Sequence, residues 1–312
     1  MRYIVPEGDS GKTVKELVLG SIGISVSFLR HLKFLENGIM LNGEKVTVRA
    51  TVQEGDVLDL ATENEREGSR LTPTDIPLDI VYEDSDLVVP SKSANMPTHP
   101  SHNHHGDTLA DALAYRYRND TEPFVFRPIN RLDRNTSGLT LIAKNRISAA
   151  NLSEQMRKGD IKKQYVAILD GIIPDERGSI ETYMRRTAQS IIVREVCDKQ
   201  DDADYALTHY LTIARSDKHS LVLACPATGR THQLRVHFAH LGCPILGDDM
   251  YGTPSDMIDR HALHAIALSF ILPSDGQRTT LVSHLPTDMQ NAVEKLFGAS
   301  LADSLYEHHD FL

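Results

Sequence analysis

Residues 61–74 carry two apolar side chains, Ala61 and Leu71, among Thr, Glu, Asn, Arg, Gly, Ser and Pro. So polar a stretch has no face to bury. It reads as a solvated linker, and the chain must build separate cores before and after it. The implied division is a small unit over residues 1–60, a linker over 61–75 and a large unit over 76–312. A length of 312 residues accommodates this at ~150 residues per ordinary domain. Apolar residues at 40% and charged residues at 24% supply both cores and exclude a disordered or low-complexity chain. The apolar runs, residues 139–143 and 221–225 among them, fall far short of the ~18 to 20 needed to span a bilayer. The first six residues lack the apolar segment of a secretory signal, and Cys197, Cys225 and Cys243 are too scattered for a disulfide framework. We therefore expect a soluble protein of a reducing cytoplasm, without membrane association.

In the small unit, Thr13, Val14, Leu17 and Val18 repeat at helical spacing, as do Phe28, Leu29, Leu32 and Leu35. Asn37-Gly38 is expected to end the second helix. Asn42-Gly43 then falls between Ile39-Met40-Leu41 and Lys45-Val46-Thr47-Val48 as a tight turn, and Gly55-Asp56 turns again before Val57-Leu58-Asp59-Leu60. Gly38-Ile39-Met40-Leu41-Asn42-Gly43 and Val52-Gln53-Glu54-Gly55-Asp56-Val57 resemble the RNA-binding domain shared with ribosomal small-subunit protein four. The resemblance implies phosphate contacts from Arg30, Lys33 and His31. Seven Lys or Arg against eight acids make this unit thinly basic overall. Gly8-Asp9-Ser10-Gly11-Lys12-Thr13 imitates a phosphate-binding loop, but Pro6 stands where its first glycine belongs.

From Ile76 onward, short β-branched runs at residues 80–82, 87–89, 139–143, 165–169, 210–213 and 221–223 read as strands. Residues 108–117, 147–158 and 231–241 read as helices; in the last, Leu234, Phe238 and Leu241 form one stripe and Gly242 the stop. The fold class is α+β, a small helix-helix-strand unit followed by a mixed unit with a large, largely antiparallel sheet.

The formal net charge of −10 argues against a surface that binds polyanions everywhere. Between Arg127 and Tyr165, however, nine Lys or Arg face three acids, a local +6. Within and beside this island stand Arg131-Leu132-Asp133-Arg134-Asn135-Thr136-Ser137-Gly138-Leu139, then Lys162-Lys163-Gln164-Tyr165, and later Thr228-Gly229-Arg230-Thr231-His232-Gln233-Leu234-Arg235. These motifs, in this order, with Gly242-Cys243-Pro244-Ile245-Leu246-Gly247-Asp248, Tyr251-Gly252 and Leu263-His264-Ala265, resemble the RluA/RluD-type pseudouridine synthases over roughly residues 76–285.

The resemblance implies an isomerase that detaches uracil from ribose in structured RNA, turns it and rejoins it through carbon 5, with no cofactor and no metal. Ribosomal RNA is favoured over transfer RNA, and no obligate protein partner is evident. Asp133 becomes the essential carboxylate, as nucleophile or as base. Arg235 becomes its cationic partner, able to pair bidentately. Tyr165 lies beside the base, accepting the carbon 5 proton or stacking on the ring. Arg131 reaches into the space left by the everted nucleotide, and Arg134, Lys162, Lys163 and Arg230 face RNA phosphates. Arg230 and His232 have an alternative reading as helix caps. Two positions depart from the family pattern: Asn130 stands for the usual His, and Lys92-Ser93-Ala94-Asn95 for Lys-Pro-x-Gly. Asn95 can still take the left-handed conformation of the glycine it replaces.

The rival from another class is a protein that holds structured RNA without turnover; a third reading is hydrolytic release of uracil. His99, His102, His104 and His105 read as a polar substrate-side loop, since their spacing matches no structural zinc pattern. His308 and His309 read as tail residues. Ser137 lacks a nucleophile elbow and reads as a turn residue.

Overall fold

The computed structural model describes residues 2–22, 24, 26–33, 35, 37–61, 71–101, 104–121, 124–190, 192–199 and 202–305. Most of the expected linker, together with His102, His308, His309 and the side chains of Phe28 and His31, lies outside the described residues.

The first sheet contains β1 (Arg2–Ile4), β2 (Ile39–Leu41), β3 (Glu44–Lys45) and β4 (Val57–Leu60), in the antiparallel order β1-β4-β2-β3. Asn42 and Gly43 join β2 to β3 with φ of 53° and 84°, the geometry of a two-residue hairpin turn. Helix α1 (Val14–Glu16) opens with a reciprocal cap between Thr13 and Glu16 and continues as a π turn over Leu17–Ser21. Val14, Leu17 and Val18 bury one face of it against Leu29 and Leu32 of α2 (Val26–Leu32) and against Leu58. Two expectations change. Helix α2 ends at Leu32 rather than at Asn37-Gly38, and the strand expected over residues 45–48 is the two-residue β3. Lys12 of the false phosphate loop pairs with Asp9.

The second sheet has twelve strands: β5 (Asp79–Glu83), β6 (Leu87–Lys92), β7 (Arg127–Pro128), β8 (Ser137–Leu139), β9 (Ile142–Ala143), β10 (Lys162–Asp170), β11 (Arg177–Arg186), β12 (Arg194–Cys197), β13 (Asp204–Arg215), β14 (His219–Pro226), β15 (Leu263–Ile271) and β16 (Arg278–Val282). Its order is β12-β11-β13-β14-β10-β15-β8-β6-β9-β7, with β16 on β15 and β5 on β6. With α3 (Leu109–Arg116), α4 (Arg146–Lys158), α5 (Gln233–His240), α6 (Thr287–Phe297) and α7 (Ala299–Ser304), this is a mixed, mostly antiparallel α+β architecture. No helix among the described residues is long and apolar enough to cross a membrane.

One junction positions the site. The β8–β15 pair is parallel, and on either side of it the neighbouring strands pair antiparallel. At the junction Gly138 has φ +111°, and a Cβ there would lie 2.3 Å from the Ala265 carbonyl oxygen. Only glycine allows the two backbones to approach so closely. The strand expected over residues 139–143 is broken into β8 and β9, with Thr140 and Leu141 between them. Ser137 is not a turn residue: it opens β8, fully buried, against His264.

Candidate active site

Asp133 lies in the loop between β7 and β8, a loop tied to the surrounding strands and loops at most of its residues. The amide of Asn130 does the work of a missing strand rung, donating to the Leu139 carbonyl (3.3 Å) and accepting from the Leu141 N–H (2.7 Å) across the β8–β9 break. Leu132 points into the core, and its carbonyl accepts from Thr98 Oγ1 at 2.8 Å. The Arg134 carbonyl accepts from Lys92 Nζ (3.1 Å), which also donates to the carbonyls of Ser93 and Met96 (2.8 Å each). Arg260, itself forked onto Asp288 of α6, donates to the Asn135 carbonyl at 3.0 Å. Thr136 and Ser137 bond to His261 Nε2 (2.8 Å) and His264 Nδ1 (2.9 Å). Burial, followed by the neighbouring arginine charges, drives both histidines down to about 3, so they serve as neutral anchors. Asn95 takes φ 58°, as expected of a residue replacing glycine.

With its backbone fixed, the loop alternates. Leu132 goes inward, while Arg131 and Asp133 line a cleft of about 610 Å³, a size suited to a small organic ligand. Buried Lys92 stands behind it; burial pushes this amine down to about 7, opposed by the charge of Asp133.

Arg235 and His232 reach the same cleft from α5 and its approach. His232 has φ 59° and no side-chain capping bond, so it does not cap the helix through its ring. Its Nε2 lies 3.8 Å from Asp133 Oδ2, and Arg235 Nη1 lies 3.9 Å from that same oxygen. The expected bidentate pairing of Arg235 with Asp133 is not found. The fork goes to fully buried Asp248, through Nε–Oδ2 and Nη2–Oδ1 bonds of 2.7 Å each. Asp248 also accepts from the Met250 and Tyr251 amides. Two guanidinium nitrogens are thereby fixed, and the third meets Asp133 from an immobile base. Tyr251 extends the framework: its ring lies under the guanidinium, and its hydroxyl accepts from the Arg194 N–H and bonds His232 Nδ1, each at 2.9 Å. Burial keeps the Tyr251 proton on. A carboxylate oxygen facing Nε2 favours the imidazole proton on that nitrogen, which leaves Nδ1 to accept from the phenol. Burial lowers His232, with Asp133 opposing, so the ring is neutral.

Tyr165 on β10 forms another wall, 8% exposed. Burial and then the Asp133 charge push its phenol above the ordinary value. The cleft therefore gathers Asp133, Tyr165, Arg235, Arg131, Lys163 and Arg230. It does not gather all the expected cations. Arg134 contributes its carbonyl to the Lys92 clamp while its side chain is exposed, exposed Lys162 lies beyond the lining, and Arg30 and Lys33 belong to the first sheet's unit. Arg230 is partly engaged, with Asp204 at 3.2 Å and the Tyr205 carbonyl at 2.9 Å. His104 pairs with Asp107. Reading by residue type missed Asp248, Tyr251 and Lys92 as supports of the site. The quoted Gly247-Asp248 and Tyr251-Gly252 motifs carried the first two without disclosing whom they hold.

A family described as RNA pseudouridylate synthase matches residues 86–240. An uncharacterized RNA pseudouridine synthase of Bacillus subtilis, YjbO, is 36% identical over 283 residues, covering 90% of this chain and 98% of the relative. Ribosomal large subunit pseudouridine synthase D of Xanthomonas campestris is 30% identical over 308 residues, covering 94% and 91%. The solved structure of human RNA pseudouridylate synthase domain containing 1 shares 30% identity with a TM-score of 0.57, over 68% of this chain and 86% of that one. The chain belongs to the RNA pseudouridine synthases of the RluA/RluD type, isomerases that act on RNA.

Proposed function

We propose that Asp133 is the carboxylate with which this synthase isomerises specific uridines of ribosomal RNA. The observation that carries the proposal is the convergence of Arg235 and His232 on one Asp133 oxygen, at 3.9 and 3.8 Å, on the wall of a nucleotide-sized cleft. Two donors facing Oδ2 leave Oδ1 for the substrate, whether it attacks as nucleophile or removes a ribose proton. A Tyr165 phenol that keeps its proton favours stacking on the uracil; it must shed its own proton before it can take the one on carbon 5. Everting a paired base costs ~a few kcal/mol. Arg131, which has no ion pair among the described residues, is positioned to offset that by filling the vacated space. Lys163 and Arg230 take phosphates at the rim, Arg134 and Lys162 further along.

Ribosomal RNA is supported by the Xanthomonas relative, a ribosomal large subunit pseudouridine synthase. Such a substrate sets the cytoplasm as the place of action. Residues 1–60, with Arg30 and Lys33, form an RNA-binding domain in this proposal, joined by a linker over 61–75 to a catalytic domain over 76–312. Pseudouridine maps of ribosomal and transfer RNA, with the gene deleted and restored, test it. The expected result is a ribosomal uridine modified only when the gene is present. Loss confined to transfer RNA overturns the choice of substrate, and identical maps overturn the whole.

A further inference from the structure

A second cavity, of about 590 Å³, adjoins the cleft and shares Met156, Lys163, Pro226 and Ala227 with it. We infer that it holds a nucleotide of the same RNA strand next to the everted uridine, an inference that rests on reading the first cleft as the uridine site. Its lining includes four cations, Lys158, Lys162, Lys163 and Arg177, and no carboxylate. Lys158 is shared with Glu154 at 3.5 Å, whereas exposed Lys162 and Arg177 have no ion pair among the described residues. Unneutralised cations around a concave surface suit a phosphodiester rather than a neutral metabolite.

The rest of the lining suits the sugar and base. His209 stands opposite Ser179 of β11 and Cys225 of β14, so the three side chains share one sheet face. Ser179 Oγ bonds His209 Nδ1 at 2.7 Å, which leaves Nε2 available to a base edge or a 2′-hydroxyl. Met156 and Pro226 give an apolar surface for a base, and both also line the first cleft. Gly178 keeps the wall open: a Cβ there would sit 2.4 Å from the Tyr210 hydroxyl and displace that ring. Two cavities of similar size, sharing Lys163, fit successive nucleotides of one strand with a phosphate between them.

The test compares wild type, a Lys162→Glu/Arg177→Glu variant and Lys218→Glu, whose charge change falls in the β13–β14 turn, at the far end of those strands from His209 and Cys225. Ribosomal RNA from cells lacking the gene is the probe; binding is followed against salt, and pseudouridine by nucleoside mass spectrometry. The double variant is expected to bind about tenfold more weakly or worse, with the log–log salt slope shallower by about 1.5, two contacts' worth. Lys218→Glu is expected to match wild type, and thermal melts of all three to coincide. If wild type modifies the RNA and the double variant binds it like Lys218→Glu, the second site is overturned while the first reading stands. If wild type makes no pseudouridine in this RNA, the reading of the first cleft falls, and the inference built on it falls too.

Discussion

Asp248 accepts the fork of Arg235 with no exposure to solvent, and that buried pair orients the one guanidinium nitrogen facing Asp133. Removing one partner of a buried pair strands the other charge, at a cost of about 3–5 kcal/mol. Asp248→Asn should therefore lower unfolding free energy by roughly that amount in urea titrations. Asp249, exposed and 3.8 Å from the same guanidinium, should matter by less than about 1 kcal/mol when changed to Asn. His232 should report its tautomer through kinetics. Glutamine, whose amide can donate toward Asp133, should retain most of the activity, whereas His232→Ala should lose about 10²-fold in kcat, comparable to loss of one preorganised donor. Equal losses in both variants would show that the ring only fills space. At this scale the gathering of Asp133, Tyr165 and Arg235 on one cleft was foreshadowed by the three motifs that carry them. The partner of the arginine was not: Asp248 follows thirteen residues later, and which of two nearby carboxylates takes the fork is decided by how the chain returns from α5.

Among the elements, β8 depends on the absence of a side chain at Gly138. Gly138→Ala drives a methyl into the Ala265 carbonyl and a non-glycine residue into φ +111°, so it should destabilise by about 3 kcal/mol or more and shift the urea midpoint accordingly. The Lys92 clamp between β6 and the Asp133 loop predicts a pH dependence. The unfolded lysine holds its proton to about pH 10.4. In the folded chain burial brings the group to about 7, so between these values the unfolded state binds more protons and stability should rise with pH. A Lys92→Met variant should lack that rise in denaturation series from pH 7 to 10. The long strands β10, β13 and β14 were legible in outline from their β-branched runs. Buried β15, whose β-branched residues are just Ile266 and Ile271, gave no such signal, and the break between β8 and β9 was invisible because a side-chain amide, that of Asn130, supplies the missing backbone rungs.

For the whole molecule, the contrast between a net charge of −10 and a basic cleft predicts how it meets RNA. If Lys162, Lys163 and Arg230 each neutralise a phosphate, affinity should fall roughly twentyfold or more between 50 and 200 mM salt, despite the acidic total. A filter-binding series showing no salt dependence would remove the cleft from the RNA path. The antiparallel class could be read from run length; the parallel β8–β15 junction that sets the Asp133 loop beside β10 could not, since it pairs residues 127 positions apart. The most direct measurement is nucleoside mass spectrometry of unmodified ribosomal RNA incubated with wild type or Asp133→Asn, the two proteins melting at the same temperature. Pseudouridine with wild type alone is the predicted result; equal pseudouridine from both proteins, or free uracil in its place, would contradict the role assigned to this carboxylate.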